Sequence, residues 1–316
     1  MKKYFYILIL LCLAQSCSKE VKIDIPGYEE QLVIDGYIET NQPPIVLLSR
    51  SKDIYAVTNL NSFLQGFVSG ATVTVSDGVI TEQLIEICTD NLPPGSEAIA
   101  AALFGISETE LANLHLCGYT SFNPAIFGQI GKTYELTVVF EGKTYTASSE
   151  MVPNTPLVTT FWKPETDLPN YGYSYAVLSD PPQKGDAYLW EVKRINKDSL
   201  GKTKDGKFSK TFTPVVDDRI FNGLTFEFSY ENPMSFKDEG LEGKYKGYYQ
   251  LGDSVVIKFS KMDRNVFNFL EKKYMQKQTG GSPFSSPTNI PTNIKGGGLG
   301  LWAAYSPWYD TLYCVP

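Results

Sequence analysis

The chain has 316 residues, with 28 basic side chains against 35 acidic ones and a formal net charge of −7. Removing a leader that holds Lys2 and Lys3 takes this to about −9 by counting. That argues against nucleic acid and anionic lipid surfaces as partners, since both demand a basic footprint. Aromatic residues at 13%, 26 Gly and 19 Pro suit strands and tight turns, and the length admits two domains.

Lys2 and Lys3 open the chain, Tyr4 to Leu13 is an almost unbroken apolar run, and Ala14-Gln15-Ser16 lead into Cys17. The run falls short of the roughly 20 apolar residues that span a bilayer, so it reads as a signal h-region, with residues 1–16 cleaved. The cysteine at the cut makes this a lipoprotein reading, with Cys17 as the lipid attachment site. Each buried methylene of such an anchor contributes about 0.8 kcal/mol. Ala14 stands where a lipobox usually carries Leu, and an ordinary signal with an incidental cysteine is the alternative. Ser18-Lys19-Glu20 resembles the short Lys-acidic signal that sends lipoproteins to the cell surface in Bacteroidota. The expected location is the outer membrane, facing outward, with polar residues 17–30 as a tether.

Gln31 to Ile38 and Ile45 to Leu48 predict the first two strands, the second buried because its apolar run is continuous. Ala71 to Ser76 alternates and ends in the turn signal Asp77-Gly78. Residues 80–88 give the next strand, and 132–140 with 143–149 give a hairpin through Glu141-Gly142. This period of two needs one covered and one solvated face. The unit over 31–152 is expected to be an antiparallel sandwich, immunoglobulin- or transthyretin-like. An insertion at 89–116 breaks the rhythm. Residues 96–104 read as helical, and Ser107 with Glu110 makes a capping box for a second short helix. Neither helix is stable alone in water. Cys88 and Cys117 bracket the insertion and are the favoured disulfide pair of an exported chain, with two free thiols as the alternative. Cys314 is left over as a buried thiol.

Met151 to Pro156 is the expected domain boundary. Beyond it, strands are predicted near 157–162, 171–179, 187–196, 209–215, 224–230 and 253–260. Asp198 to Lys207 reads as an exposed hairpin tip and 235–247 as a loop. Val266, Phe267, Leu270 and Tyr274 then fall at helical spacing, which predicts a helix over 264–277 with Asp263 as N-cap. A long loop over 280–298 precedes a last strand near 299–305. The fold class is therefore mainly all-β. It has two antiparallel sandwich-like domains, 31–152 and 153–316, with a helical insertion in the first and one helix in the second.

Chemistry is sparse. His115, the single histidine, lacks the partners a zinc site needs. Asp217-Asp218-Arg219 offers paired carboxylates, but neighbours on a strand point to opposite faces, so an Asp–Arg pair fixing a turn is favoured. Gly296-Gly297-Gly298-Leu299-Gly300 lacks the Lys-Ser/Thr of a phosphate loop and reads as a close backbone approach. There is no Gly-x-Ser-x-Gly elbow. No catalytic residue, metal or cofactor is expected. Tyr171, Tyr173 and Tyr175 share one strand face and, with Trp308, stand out in the aromatic surplus. Core packing is their default role, and a ligand platform is the reading if the face is exposed.

Four stretches together resemble the domain of unknown function 4249 family of Bacteroidota lipoproteins. They are Leu32-Val33-Ile34-Asp35-Gly36; Ile87 to Pro94 with the return at Leu116-Cys117; Asp217 to Gly223; and Gly281 to Ile290, including Asn289, running into Asn293 to Gly300 with Gly298. The last is the most specific, and Trp302 stands where the pattern places Phe. The resemblance covers nearly all of the mature chain and carries no catalytic residue. It implies a companion of a TonB-dependent outer-membrane transporter. The expected function is a non-enzymatic, surface-tethered accessory or ligand-binding subunit. A surface glycan or peptide hydrolase and a structural adhesin-like module are the alternatives.

Overall fold

The computed structural model describes residues 28–52, 66–92, 116–279 and 289–315, together with the single positions 95, 97, 100, 101 and 111. The alternating segments become strands, and the protein is mainly β. An eight-stranded sheet runs in the order β12 (Ser209–Asp217), β11 (Ala187–Arg194), β15 (Ser254–Met262), β16 (Leu299–Tyr313), β1 (Leu32–Glu39), β2 (Ile45–Arg50), β6 (Cys117–Thr120) and β5 (Ile85–Cys88). Its neighbours are antiparallel except β1 with β16. One four-stranded sheet holds β3 (Thr72–Ser76), β4 (Thr81–Gln83), β7 (Thr133–Phe140) and β8 (Lys143–Glu150). A second holds β9 (Leu157–Glu165), β10 (Leu168–Ser179), β13 (Thr225–Tyr230) and β14 (Tyr249–Gln250).

β16 organises the whole. Its first half pairs with β1 up to Tyr305 and its second half with β15 from Tyr305 to Tyr313. At roughly 3.3 Å per residue it is about 50 Å long, enough to serve two cores. Trp302 and Ala304 enter a core with Ile34, Ile38 and Tyr134 beneath the β3–β4–β7–β8 sheet. Leu312, on the same face, enters a second core with Trp162, Trp190 and Phe259 beneath the β9–β10 sheet. The opposite face of the large sheet takes helix α1 (Arg264–Thr279), whose Val266, Phe267 and Leu270 pack on Ala187, Leu189 and Leu301. Asp263 caps this helix, its Oδ1 accepting from the N–H groups of Asn265 (2.9 Å) and Val266 (3.1 Å).

The expected split at 151–156 is replaced by continuity. Gln31–Pro316 forms one compact unit, and the first core borrows Trp302 and Ala304 from the last strand. The prolines at 153 and 156 mark a crossing between sheets, from β8 to β9. β16 also runs past Tyr305, where Ser306-Pro307 reads as a stop. Pro307 lies beyond the end of β1, so that flank needs no N–H from it. The strand expected over 80–88 breaks at Leu84, whose side chain is buried and whose N–H donates to Val73 O at 2.8 Å. The chain then passes from one sheet to the other. Asp205, expected on an exposed tip, is buried, and accepts from the Arg194 backbone N–H and guanidinium at 2.8 Å each.

Other expectations hold. Glu141 (φ 49°) and Gly142 (φ 73°) form the two-residue β7–β8 turn with the left-handed backbone such hairpins require. Cys88 and Cys117 face each other across β5–β6 and are joined, with S–S 2.05 Å. Cys314 is a buried free thiol, and burial, then the Asp253 carboxylate, push its pKa up to about 12. Within the insertion, positions 97, 100, 101 and 111 are helical, and Ala100, Ala101 and Leu111 bury against Leu92. Cys17, Ser107, Glu110 and His115 lie outside the described residues.

Candidate functional site

A cavity of about 200 Å³ opens where edge strands β12 and β13 meet at a corner of the second sandwich. β13 reads Thr-Phe-Glu-Phe-Ser-Tyr, and the strand period turns Phe226, Phe228 and Tyr230 toward the cavity. β11 supplies Trp190 from the facing sheet, and β15 supplies Phe259 beside it. Leu178, Pro214, Val216 and Phe221 close the remaining walls. The rings pack on one another. Trp190 stacks on Tyr230 at 4.9 Å and meets Phe228 (5.5 Å) and Phe259 (5.9 Å) edge-on. Trp190 is 1% exposed, yet its indole N–H has no acceptor.

A bulge in β12 makes this space. Leu189 pairs with Val215 and Glu191 with Lys210, so residues 211–214 all stand opposite Trp190. Bulges bend a strand, unpair residues and are frequent beside functional sites. The displaced segment is tied to β13 instead. Tyr230 donates its hydroxyl to Thr213 O at 3.3 Å, and the Phe212 N–H donates to the Glu231 carboxylate at 2.7 Å. Burial, and then the charge of Glu231, keep the Tyr230 phenol protonated well above its ordinary range.

The loop between β12 and β13 is the Asp217-to-Gly223 motif, and its polar groups hold Phe221 at the cavity. Asp217 takes Arg219 Nε at 2.8 and 2.7 Å on its two oxygens and also pairs with Arg264. Asp218 accepts from the N–H groups of Gly185 (2.6 Å) and Asp186 (3.0 Å) and from Arg264 (3.3 Å). Gly223 donates its N–H to Asp180 (3.1 Å), whose other oxygen accepts from the Tyr188 hydroxyl at 2.6 Å. The Asp–Arg pair therefore fixes a turn, as the sequence reading favours. Both acids are spent on backbone donors and arginines.

Tyr171, Tyr173 and Tyr175 do share one face of β10, half-buried on the side away from the second core. Each already has a ring beside it. Tyr171 stacks on Tyr245 (4.5 Å), Tyr173 tilts against Tyr248 (4.6 Å) and Tyr175 stacks on Phe161 (5.6 Å). Lys163 covers Tyr175 and Phe161, with its ammonium 4.4 and 4.9 Å from the two ring centres. Trp308 is on another strand, packed against the second core, and does not join them. The glycine loop is a close approach, as expected. A Cβ at Gly298 would stand 2.9 Å from Tyr145 Cδ1, and Lys295 pairs with Thr146 through backbone bonds of 2.7 and 3.2 Å. Asn289, in the same motif, is exposed.

Two other clusters hold acidic side chains. Glu39 and Glu191 converge on Lys258, Glu191 at 3.3 Å, and Lys210 approaches Glu191 at 3.7 Å. Burial opposes the charge on Lys258, but Glu191 and Glu39 outweigh it and raise its pKa above the ordinary lysine value. These carboxylates are neutralised by lysines, which makes the cluster a buried ion-pair network. Glu86 lies within 4.8 Å of both Cys88 and Cys117 sulfurs, and the disulfide occupies both.

The sequence reading passed over Trp190, Phe221, Phe226 and Phe228. The alternation of β13 and a proline inside β12 were the available signals. Comparison with known proteins returns one relationship. No curated protein and no solved structure matches the chain. A model of the family described as a domain of unknown function (DUF4249) matches residues 18–307. With that match covering most of its length, the chain belongs to this family.

Proposed function

We propose that the protein is a lipid-tethered, non-enzymatic subunit that binds ligand in the β12–β13 cavity as the partner of a TonB-dependent transporter of the outer membrane. The carrying observation is the cavity itself. Six aromatic residues line it, and among the described residues no carboxylate, histidine, cysteine or lysine does. Concave, mostly apolar clefts with few polar groups are the usual form of small-ligand sites. The hydroxyl groups in its lining are those of Tyr230, which already donates to Thr213 O, and Ser229. Ile220, next to Phe221, and Leu224 and Phe212, each two residues from a wall residue, are exposed at 89%, 55% and 71%. Exposed apolar side chains of this kind support contact with a further apolar surface.

Among the described residues no helix is long and apolar enough to cross a membrane. Attachment in this reading rests on Cys17. Affinity capture of the native chain from detergent-solubilised outer membranes tests the partnership. Retention of a TonB-dependent transporter is expected, and an eluate without one overturns it. Loss of membrane association in Cys17→Ala is the matching expectation for the anchor.

A further inference from the structure

We infer that the open seam between β12 and β13 takes a short extended peptide, which adds to the free edge of β13 and turns alternate apolar side chains into the cavity. The inference rests on reading the cavity as a ligand site and names the class of ligand.

The sandwich is one strand short here. Trp190 of β11 stacks on Tyr230 and meets Phe228, so β13 lies over β11. β12 is the next strand of the large sheet and forms its edge. β13 is also an edge and pairs with β10 alone. Among the described residues, therefore, no strand lies over β12, and the cavity sits beside β13 where one would stand. Burial shows the consequence. Phe226, Phe228 and Tyr230 face inward, yet they are only half-buried.

The edge names the occupant. Leu224 O accepts from the Asp180 N–H at 2.9 Å. By strand alternation Phe226 and Phe228 then bond to β10, while Thr225, Glu227 and Ser229 turn their N–H and C=O groups outward. An apolar trough alone would suit many shapes. A row of backbone donors and acceptors beside it fits another extended chain, held by main-chain hydrogen bonds with alternate side chains in pockets. The cavity of about 200 Å³ exceeds the ~150 Å³ that admits benzene, which leaves room for apolar side chains opposite Phe226 and Phe228.

Charge selects the residue between them. Glu227 points to solvent with Lys163 at 2.6 Å, and Glu231 follows at the end of the strand. Opposite charges stabilise a cross-strand pair and like charges destabilise it, so a lysine or arginine fits opposite Glu227. Two copies of this chain joined edge to edge in the longest register would set Glu227 against itself, which disfavours a dimer here. The seam is also tied at both ends. The 218–224 loop bridges one end. At the other, the Phe212 N–H donates to Glu231 and the Tyr230 hydroxyl to Thr213 O. A segment of about five residues fills the interval, which suits a free peptide better than a strand of a long chain.

The test uses the full chain and the peptide acetyl-Ser-Val-Lys-Val-Ser-amide, whose sequence reads the same in either direction. Calorimetry gives the affinity, and the amide spectrum of the ¹⁵N-labelled protein gives the place. The peptide is expected to bind and to shift the amide resonances of Thr225, Glu227 and Ser229. A copy N-methylated at every residue keeps the side chains and removes the ladder donors, and is expected to bind about ten-fold more weakly. A copy with serine for both valines is expected to lose about ten-fold as well, and one with glutamate for lysine about three-fold. Glu227→Lys, at an exposed position, is expected to reverse the preference between the lysine and glutamate copies. An N-methylated copy that binds as tightly overturns strand addition, and a serine copy that does so overturns the part of the cavity. A charge preference unmoved by Glu227→Lys overturns the register. If no peptide binds, the inference falls, and indole, an apolar probe without a strand edge, then judges the cavity. Indole-induced shifts at Phe226 and Phe228 keep it as a ligand site, and their absence overturns that reading too. Transporter capture is scored separately.

Discussion

Trp302 and Trp190 are both fully buried, on the same face of one sheet, in adjacent sandwich cores. Trp302 is satisfied. Its indole N–H donates to Tyr134 O at 2.9 Å, and its ring lies over Gly36, where a Cβ would stand 2.9 Å from Cε3. Trp190 has no acceptor, a bulged neighbour strand and a cavity beside it. Among the described residues, the buried side-chain polar atoms without a partner lie on Trp162, Trp190, Thr211, Asn222, Tyr249 and Ser260. All of these fall after β8. Among the described residues the first core thus leaves no buried side-chain polar atom unpaired. The second gives up part of that pairing and holds the cavity. Where two copies of one architecture differ this way, the less satisfied copy is where binding is to be sought.

Three measurements press on that contrast. Trp302→Ala should cost about 3–5 kcal/mol in denaturant unfolding, the range for truncating a large buried ring. A loss below about 2 kcal/mol would mean that the first core is looser than its contacts imply. Asp77, at the β3–β4 turn, gives a second, smaller effect. Backbone donation from Ile80, then Lys132, holds its carboxyl down at about 2 from an ordinary 3.8. A depressed carboxylate stabilises the fold above its unfolded value, and that stability is lost as pH falls from about 4 toward 2. Asp77→Asn should remove this acid slope and cost about 1 kcal/mol at neutral pH, read from unfolding midpoints across pH. The smallest effect is the sharpest for the comparison. Trp302→Phe, which also breaks the bond to Tyr134 O, should cost up to about 1 kcal/mol more than Trp190→Phe, since both lose the same part of a buried ring and only the first loses a hydrogen bond. Equal losses would mean that the Tyr134 bond adds nothing, and the contrast between the two indoles would fail.

The strands at 72–76, 133–150 and 254–262 were legible because alternation over five or more residues admits few other readings. The helix was legible from Asp263 and the spacing of Val266, Phe267 and Leu270. The pairing of β1 with β16 was not, since Val33 and Leu299 carry no mark of each other. The site was harder to see. Period two shows that Tyr171, Tyr173 and Tyr175 share a face, but not that the opposite face of the same strand is the one turned to the core. The cavity walls come from five strands and the β12–β13 loop, and the bulge that opens it lies inside Thr-Phe-Thr-Pro-Val-Val, which reads as one uninterrupted strand apart from Pro214. Function there depends on which strands are brought together, a tertiary property that local pattern does not encode.

The parallel register of β1 on β16, from Val33↔Leu299 to Glu39↔Tyr305, has a consequence in time. The first strand of the folded unit cannot find its neighbour until the last strand has been made. Contacts so distant along the chain slow folding, because loop closure must precede any reward. The first core, which needs Trp302, therefore closes only once β16 has been made. A nascent or truncated chain lacking the final strand leaves β1 as an open edge, and such edges invite pairing with other chains.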